Sequence, residues 1–271
     1  KPTERRVFKG DGAEIIYGLM LDAYKKSDYG RVVKVWELYK KRYVNKVATD
    51  PYVNFLVGKS YVNLGLFKGF DKVFQNFERH KDHPQRSFPI WVERNDLKGR
   101  DIILQELRLV KNIKLENYDL AEKNIRRLDE MAPDYQKTRY YEGIVAYRQE
   151  NYQKAANSLE GYLSYQDGRG VYDPNEVAEM LLAYTDSLYQ LDRTERFKEV
   201  AEAVLEDIRD FAIEHEYIQE VKERISYQMI ETLAGGGRSS ALRLESKIQK
   251  FIDNFPKSSH LGRVRYLLGT T

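Results

Sequence analysis

Cysteine is absent from these 271 residues, which excludes disulfides, thiolate nucleophiles and cysteine-ligated metals. Proline is scarce at seven, and no block alternates apolar and polar residues as a half-buried strand would, so helices are left to bury the 42% apolar content. No apolar run approaches the roughly 18 to 20 residues that span a bilayer, and no signal-peptide pattern opens the chain. Lys1 stands where an initiator methionine would, so the chain is expected to be a processed or excised piece whose targeting segment lies upstream. Neither sign of charge dominates: 45 basic against 42 acidic side chains give a net charge of +3, and a pI of about 8.7 does not by itself point to nucleic acid.

The distribution of charge says more than its sum. Residues 1–100 carry 21 Lys or Arg against 12 Asp or Glu, whereas residues 171–240 carry 7 against 16. A basic N-terminal surface and an acidic 171–240 surface would complement each other, so self-association of two copies head to tail is an expectation. The alternative is drift among solvated helix faces.

The chain repeats itself. Asn151-Tyr152-Gln153-Lys154-Ala155 begins 34 residues after Asn117-Tyr118-Asp119-Leu120-Ala121. Ile125, Leu128 and Pro133 follow the first phrase, and Leu159 and Tyr162 the second, with Gly143 and Ala146 ahead of it. Gly58 and Tyr61 precede Phe67, Phe70, Phe74 and Phe77, whose spacing of 3, 4 and 3 keeps them on one helical face. Ile16, Leu19 and Ala23 precede Tyr29, Val32, Trp36 and Tyr39, with Ser27-Asp28 as turn and cap. Phe197, Val200 and Val204 keep a stripe in which Asp207 breaks the pattern and Ile208 replaces it, and Leu244, Ile248, Phe251 and Pro256 keep another after the breaker Gly235-Gly236-Gly237.

These phrases resemble the tetratricopeptide repeat (TPR) family. The resemblance implies an all-α fold: a right-handed α-solenoid of antiparallel helix pairs, the TPR superhelix, each pair (helix A, helix B) covering its neighbour's apolar stripe. The expected organisation is one domain over 12–269, with repeats near 12–46, 51–82, 96–133, 134–166, 174–214 and 215–256, a terminal cap at 257–269 and a tail at 1–11. The family's small position on helix B holds Phe70 in the second repeat, which should push its two helices apart.

In this family partners lie against helix-A residues that face away from helix B. Here that set is Phe55, Lys59, Glu106, Val110, Tyr140, Ile144, Tyr147 and Arg148, in which aromatic area and charged groups suit a protein or peptide partner. Intramolecular packing is the alternative for Val110 and Ile144 above all. Inserted loops are the other candidate binding elements: 83–91, which offers Phe88 and Trp91, and 166–174, the favoured alternative for Phe88 and Trp91 being that they cover the apolar edge left by an offset third pair. The carboxylate clamp by which one subclass holds chaperone tails is not expected, because Tyr141 and Leu107 occupy places that need polar groups, although Lys59 and Lys137 offer charge.

Other constellations carry less. His80 and His83 are three apart, as metal ligands on one turn can be, but Pro84 follows at once; Glu214-His215-Glu216 reads as polar surface. Gly235-Gly236-Gly237-Arg238-Ser239-Ser240 lacks the ending and the preceding strand of a phosphate-binding loop. Tyr39-Lys40-Lys41-Arg42-Tyr43 is basic with aromatic neighbours, a pattern that can meet nucleic acid or an anionic membrane, but it reads as the exposed side of a solvated helix and nucleic acid is not expected as a partner. No catalytic triad, paired-carboxylate cleft or cofactor fingerprint emerges, and neither cofactor nor metal is expected.

The expected function is a non-catalytic protein–protein interaction scaffold. Asn254-Phe255-Pro256-Lys257-Ser258 with Leu268-Gly269 resembles repeat openings of bacterial cell-envelope assembly proteins, which implies a periplasmic or envelope-associated location, with the cytoplasm as alternative. A scaffold portion of an enzyme whose catalytic part lies elsewhere, and an RNA-binding helical repeat, are the competing readings.

Overall fold

The computed structural model describes residues 12–47, 51–79, 100–163, 174–210, 216–235 and 241–269. Among these residues the chain is all-helical, with thirteen helices and no strand. They are α1 (Gly12–Lys25), α2 (Tyr29–Val47), α3 (Pro51–Asn63), α4 (Phe67–Arg79), α5 (Arg100–Lys114), α6 (Tyr118–Met131) and α7 (Lys137–Arg148). There follow α8 (Tyr152–Leu163), α9 (Pro174–Gln190), α10 (Thr194–Asp210), α11 (Glu216–Ala234), α12 (Ala241–Asn254) and α13 (Leu261–Gly269). The tail 1–11, Phe88 and Trp91, His80 and His83, residues 166–173, Glu214 and His215, and residues 236–240 lie outside the described set.

Five successive helix couples, from α1/α2 to α9/α10, are each joined by three residues, and the joint is the same turn every time. Ser27, Gly65, Glu116, Glu150 and Asp192 have φ of 54°, 69°, 58°, 60° and 53°. One left-handed residue ends the first helix: its N–H reaches the carbonyl three residues back, and the next N–H reaches the carbonyl five back. Thus Ser27 N bonds Tyr24 O and Asp28 N bonds Ala23 O, both at 2.9 Å, while Glu150 N bonds Tyr147 O at 2.9 Å and Asn151 N bonds Ala146 O at 2.8 Å. The pairs Gly65/Leu66, Glu116/Asn117 and Asp192/Arg193 repeat the pattern at 2.8 to 3.1 Å.

Each turn fixes what the next helix buries. Five residues past the left-handed residue stand Val32, Phe70, Ala121, Ala155 and Phe197, all of them buried. Phe70 is accommodated by stacking on Phe74, with ring centroids 5.6 Å apart. The close approach falls one residue earlier: a Cβ on Gly69 would lie 2.4 Å from the Tyr61 ring. Gly58 does the same for Leu107, whose Cδ2 sits 2.9 Å from the missing Cβ.

The chain divides into two compact units, and the boundary falls inside α7, between Val145 and Ala146. Unit 1 holds α1–α6 and α7 to Val145. There α3 packs on α1, α2, α4 and α5, and α5 packs on α4 and α6, so contacts run between near neighbours in sequence. Its core gathers Met20, Val32, Trp36, Val57, Val62, Phe70 and Leu107. The stripe of α1 is Ile16, Met20 and Ala23, whereas Leu19, expected in it, is 40% exposed, because the turn to α2 rotates the 16–20–23 face inward.

Unit 2 holds the end of α7, α8, α9 from Asn175, and α10–α13. Here α11 packs on α10, α12 and α13. On α10 the buried stripe is Phe197, Ala201 and Val204, with Val200 only half-buried, so Ala201 takes the inward place expected of Val200. Leu244, Ile248 and Phe251 of α12 are buried, and Val264 and Leu267 tuck α13 against the unit.

Candidate functional site

In unit 1 the expected binding residues converge, but largely below the surface. Lys59 and Glu106 are each 1% exposed, and Tyr140 and Ile144 are buried; Phe55 and Val110 are half-buried. Glu106, from the middle of α5, accepts hydrogen bonds from Tyr135 Oη at 2.8 Å and from Tyr141 Oη, and Lys137 Nζ lies 3.2 Å from the same carboxylate. A carboxylate removed from water needs such partners, because an unpaired buried charge is far costlier than a bonded one. Lys137 Nζ also sits 5.9 Å from the Phe55 ring centroid and 5.5 Å from that of Tyr141, and Lys59 Nζ sits 5.1 Å from Phe55. Tyr140 meets Tyr141 edge to face at 5.0 Å. Phe55, Lys59, Glu106 and Tyr140 are thereby tied by one cation–aromatic–carboxylate network across α3, α5 and the start of α7.

In unit 2 the half-buried Tyr147 and the exposed Arg148 begin a second network. Tyr147 Oη donates to Asp186 Oδ2 at 2.6 Å, and Arg148 pairs with Glu179. Asp186 is itself buried and also accepts from Arg224 at 2.9 Å and from Gln228. One helix on, Glu231 accepts from Tyr189 at 3.1 Å and Tyr227 at 2.8 Å, with Arg263 Nε 3.6 Å away. Tyr227 stacks on His260, centroids 3.9 Å apart. Burial first, and then the neighbouring Asp186, raises the Tyr147 hydroxyl above the ordinary phenol range; burial and Glu231 push Tyr227 up to about 12.

The networks share a grammar that sequence reasoning did not extract. Tyr147 and Tyr189 each stand three residues before a left-handed turn residue, and each reaches an acid two helices on, 39 and 42 residues away. Asp186, Arg224, Gln228 and Glu231 were not among the expected residues. The available signal was a tyrosine recurring at that turn position with an acid about one repeat later.

Chemically, the arrangement is a set of bonded acceptors and half-exposed aromatic and basic groups. Among the described residues no group of three or more His, Asp or Glu is placed to hold a metal ion, and no helix is long and apolar enough to cross a membrane. Four carboxylates of the acidic stretch are met by cations of other helices: Glu179 by Arg148, Asp186 by Arg224, Glu202 by Arg243 and Lys247, and Glu231 by Arg263. Comparison of the chain with protein-family models, with curated proteins and with solved structures finds no match.

Proposed function

We propose that the chain is a non-catalytic interaction scaffold, a right-handed α-solenoid of antiparallel TPR-type helix pairs that holds a protein or peptide partner. The observation that carries this reading is the recurrence of one hydrogen-bonded turn at Ser27, Gly65, Glu116, Glu150 and Asp192. A helix couple built repeatedly on the same joint buries its apolar stripe only by stacking on the next, the defining economy of repeat proteins. Of the expected groove set, Phe55 and Val110 keep accessible surface in unit 1, where Lys59, Glu106, Tyr140 and Ile144 are buried, and Tyr147 and Arg148 keep accessible surface in unit 2. In either unit an extended or helical segment would meet aromatic area, and in unit 2 the Arg148 guanidinium as well.

The short resemblance at Asn254–Ser258 extends the proposal to a bacterial cell-envelope assembly, periplasmic or envelope-associated. Phe88 and Trp91 are proposed as supplementary loop contacts. Self-association through the basic and acidic stretches is the weaker partner reading, since Glu179, Glu202 and Glu231 already meet cations.

Photo-crosslinking tests the groove. A photoreactive residue at Phe55, Val110 or Arg148 should give one defined protein adduct from envelope extract, and the same residue at Arg126, exposed on α6, should not. Equal labelling at all four positions, or none at the first three, would overturn the groove. Turnover by the isolated chain would favour the enzyme-scaffold reading, and a salt-steep RNA shift the nucleic-acid one.

A further inference from the structure

We propose that the outward faces of α2 and α4 in unit 1 form a docking surface for an anionic lipid membrane, separate from the groove. On α2 the exposed stripe is Arg31, Lys34, Glu37 and Leu38; on α4 it is Lys68, Lys72 and Gln75. The two stripes adjoin. Tyr61 of α3 donates to Glu37 at 2.7 Å, Lys40 pairs with the same carboxylate, and Lys72 of α4 is near enough to lower its pKa.

The face therefore presents Arg31, Lys34, Lys68 and Lys72 against two carboxylates that are already engaged. Glu37 is held by Lys40 and Tyr61, and Asp28 accepts the Arg31 backbone N–H at 3.0 Å as the cap of α2. Arg31, Lys34 and Lys68 make no side-chain ion pair among the described residues, so their charge is available to an anionic surface. Lys41 and Arg42 continue the basic pattern in sequence.

Lipid is favoured over the other anionic partners by what stands among the cations. Leu38 is 65% exposed, and Leu66, at the start of α4, is 50% exposed. Protruding single leucines need a pocket each in a rigid protein partner, whereas headgroups and acyl chains close around them. Clustered lysines flanking protruding aliphatic groups match the electrostatic and apolar parts of interfacial binding.

Flotation of the whole chain with phospholipid vesicles tests this. Vesicles of about one-third phosphatidylglycerol in phosphatidylcholine should retain the protein at low salt, and pure phosphatidylcholine should not. Retention should vanish near about 0.5 M NaCl, where screening is short-ranged. The double substitution Lys34→Glu with Lys68→Glu should lower the partition coefficient about 25-fold or more, about fivefold for each cation removed. Leu38→Ser should lower it severalfold with every charge intact. All three positions are exposed, so unchanged circular dichroism and crosslinking at Arg148 would show that fold and groove persist. Equal retention on neutral vesicles, no retention on anionic ones, an unaffected double variant, or RNA binding in place of vesicle binding would each overturn the proposal.

Discussion

Ala155 and Phe70 occupy the same place in their turns and are both buried, yet one is among the smallest side chains and the other among the largest. Phe70 stacks on the ring of Phe74, while Ala155 shares the buried stripe of α8 with Ala156 and Leu159. Size changes in opposite directions should therefore both destabilise. Ala155→Leu should cost about 1–3 kcal/mol by overpacking, and Phe70→Ala about 3–5 kcal/mol through the cavity it leaves. Urea denaturation measures both, and midpoints equal to the parent's would show that this turn position is not core. Such apolar positions were legible because burial imposes a period on sequence. Depth was not: Lys59 and Glu106 read as groove residues because periodicity gives the face of a helix and not how far below the surface it lies. Glu106 can lie there only because Tyr135, Tyr141 and Lys137, roughly thirty residues later, bond to it.

At the scale of the element, the recurring turn is built almost without glycine. Only Gly65 reaches the left-handed region free of a Cβ penalty; Glu116 and Glu150 reach it with full side chains that are exposed. The turn persists because its paired hydrogen bonds and the packing of both helices over-determine it. Glu116→Gly and Glu150→Gly should each stabilise the chain by about 0.5–1 kcal/mol, the relieved strain exceeding the entropy that glycine adds to the unfolded state. Thermal unfolding of the two variants checks this, and a lowered midpoint in both would mean that the side chains make contacts outweighing the strain. This is why helices were legible and their joint was not. Glutamate carries no turn signature, so nothing in the sequence marks Glu116 or Glu150 as the joint, while the phrases two residues downstream, at Tyr118 and Tyr152, stand out through their apolar followers.

Across the whole molecule, charge that is segregated in sequence is recombined between helices. In unit 2, Arg148 reaches Glu179, Arg196 reaches Glu160, Arg224 reaches Asp186, Arg243 and Lys247 reach Glu202, and Arg263 reaches Glu231. Unit 1 does likewise, with Lys111 on Asp71 and Arg108 on Glu78, each cation also lying over a phenylalanine of α4. Most of these pairs are exposed enough that each contributes only about 0.2–1 kcal/mol, but they act in the same direction. The sign of the salt effect then separates two pictures of residues 171–240. If their carboxylates repelled one another, added salt would screen the repulsion and raise the unfolding temperature. Because Glu179, Asp186, Glu202 and Glu231 are met by cations from other helices, salt should instead weaken attraction, and the midpoint should fall by a few degrees between about 0.05 and 0.5 M NaCl. Calorimetry at fixed pH across that range decides it, with a rise in midpoint as the outcome that would return the acidic stretch to the role of an unanswered surface awaiting a basic partner.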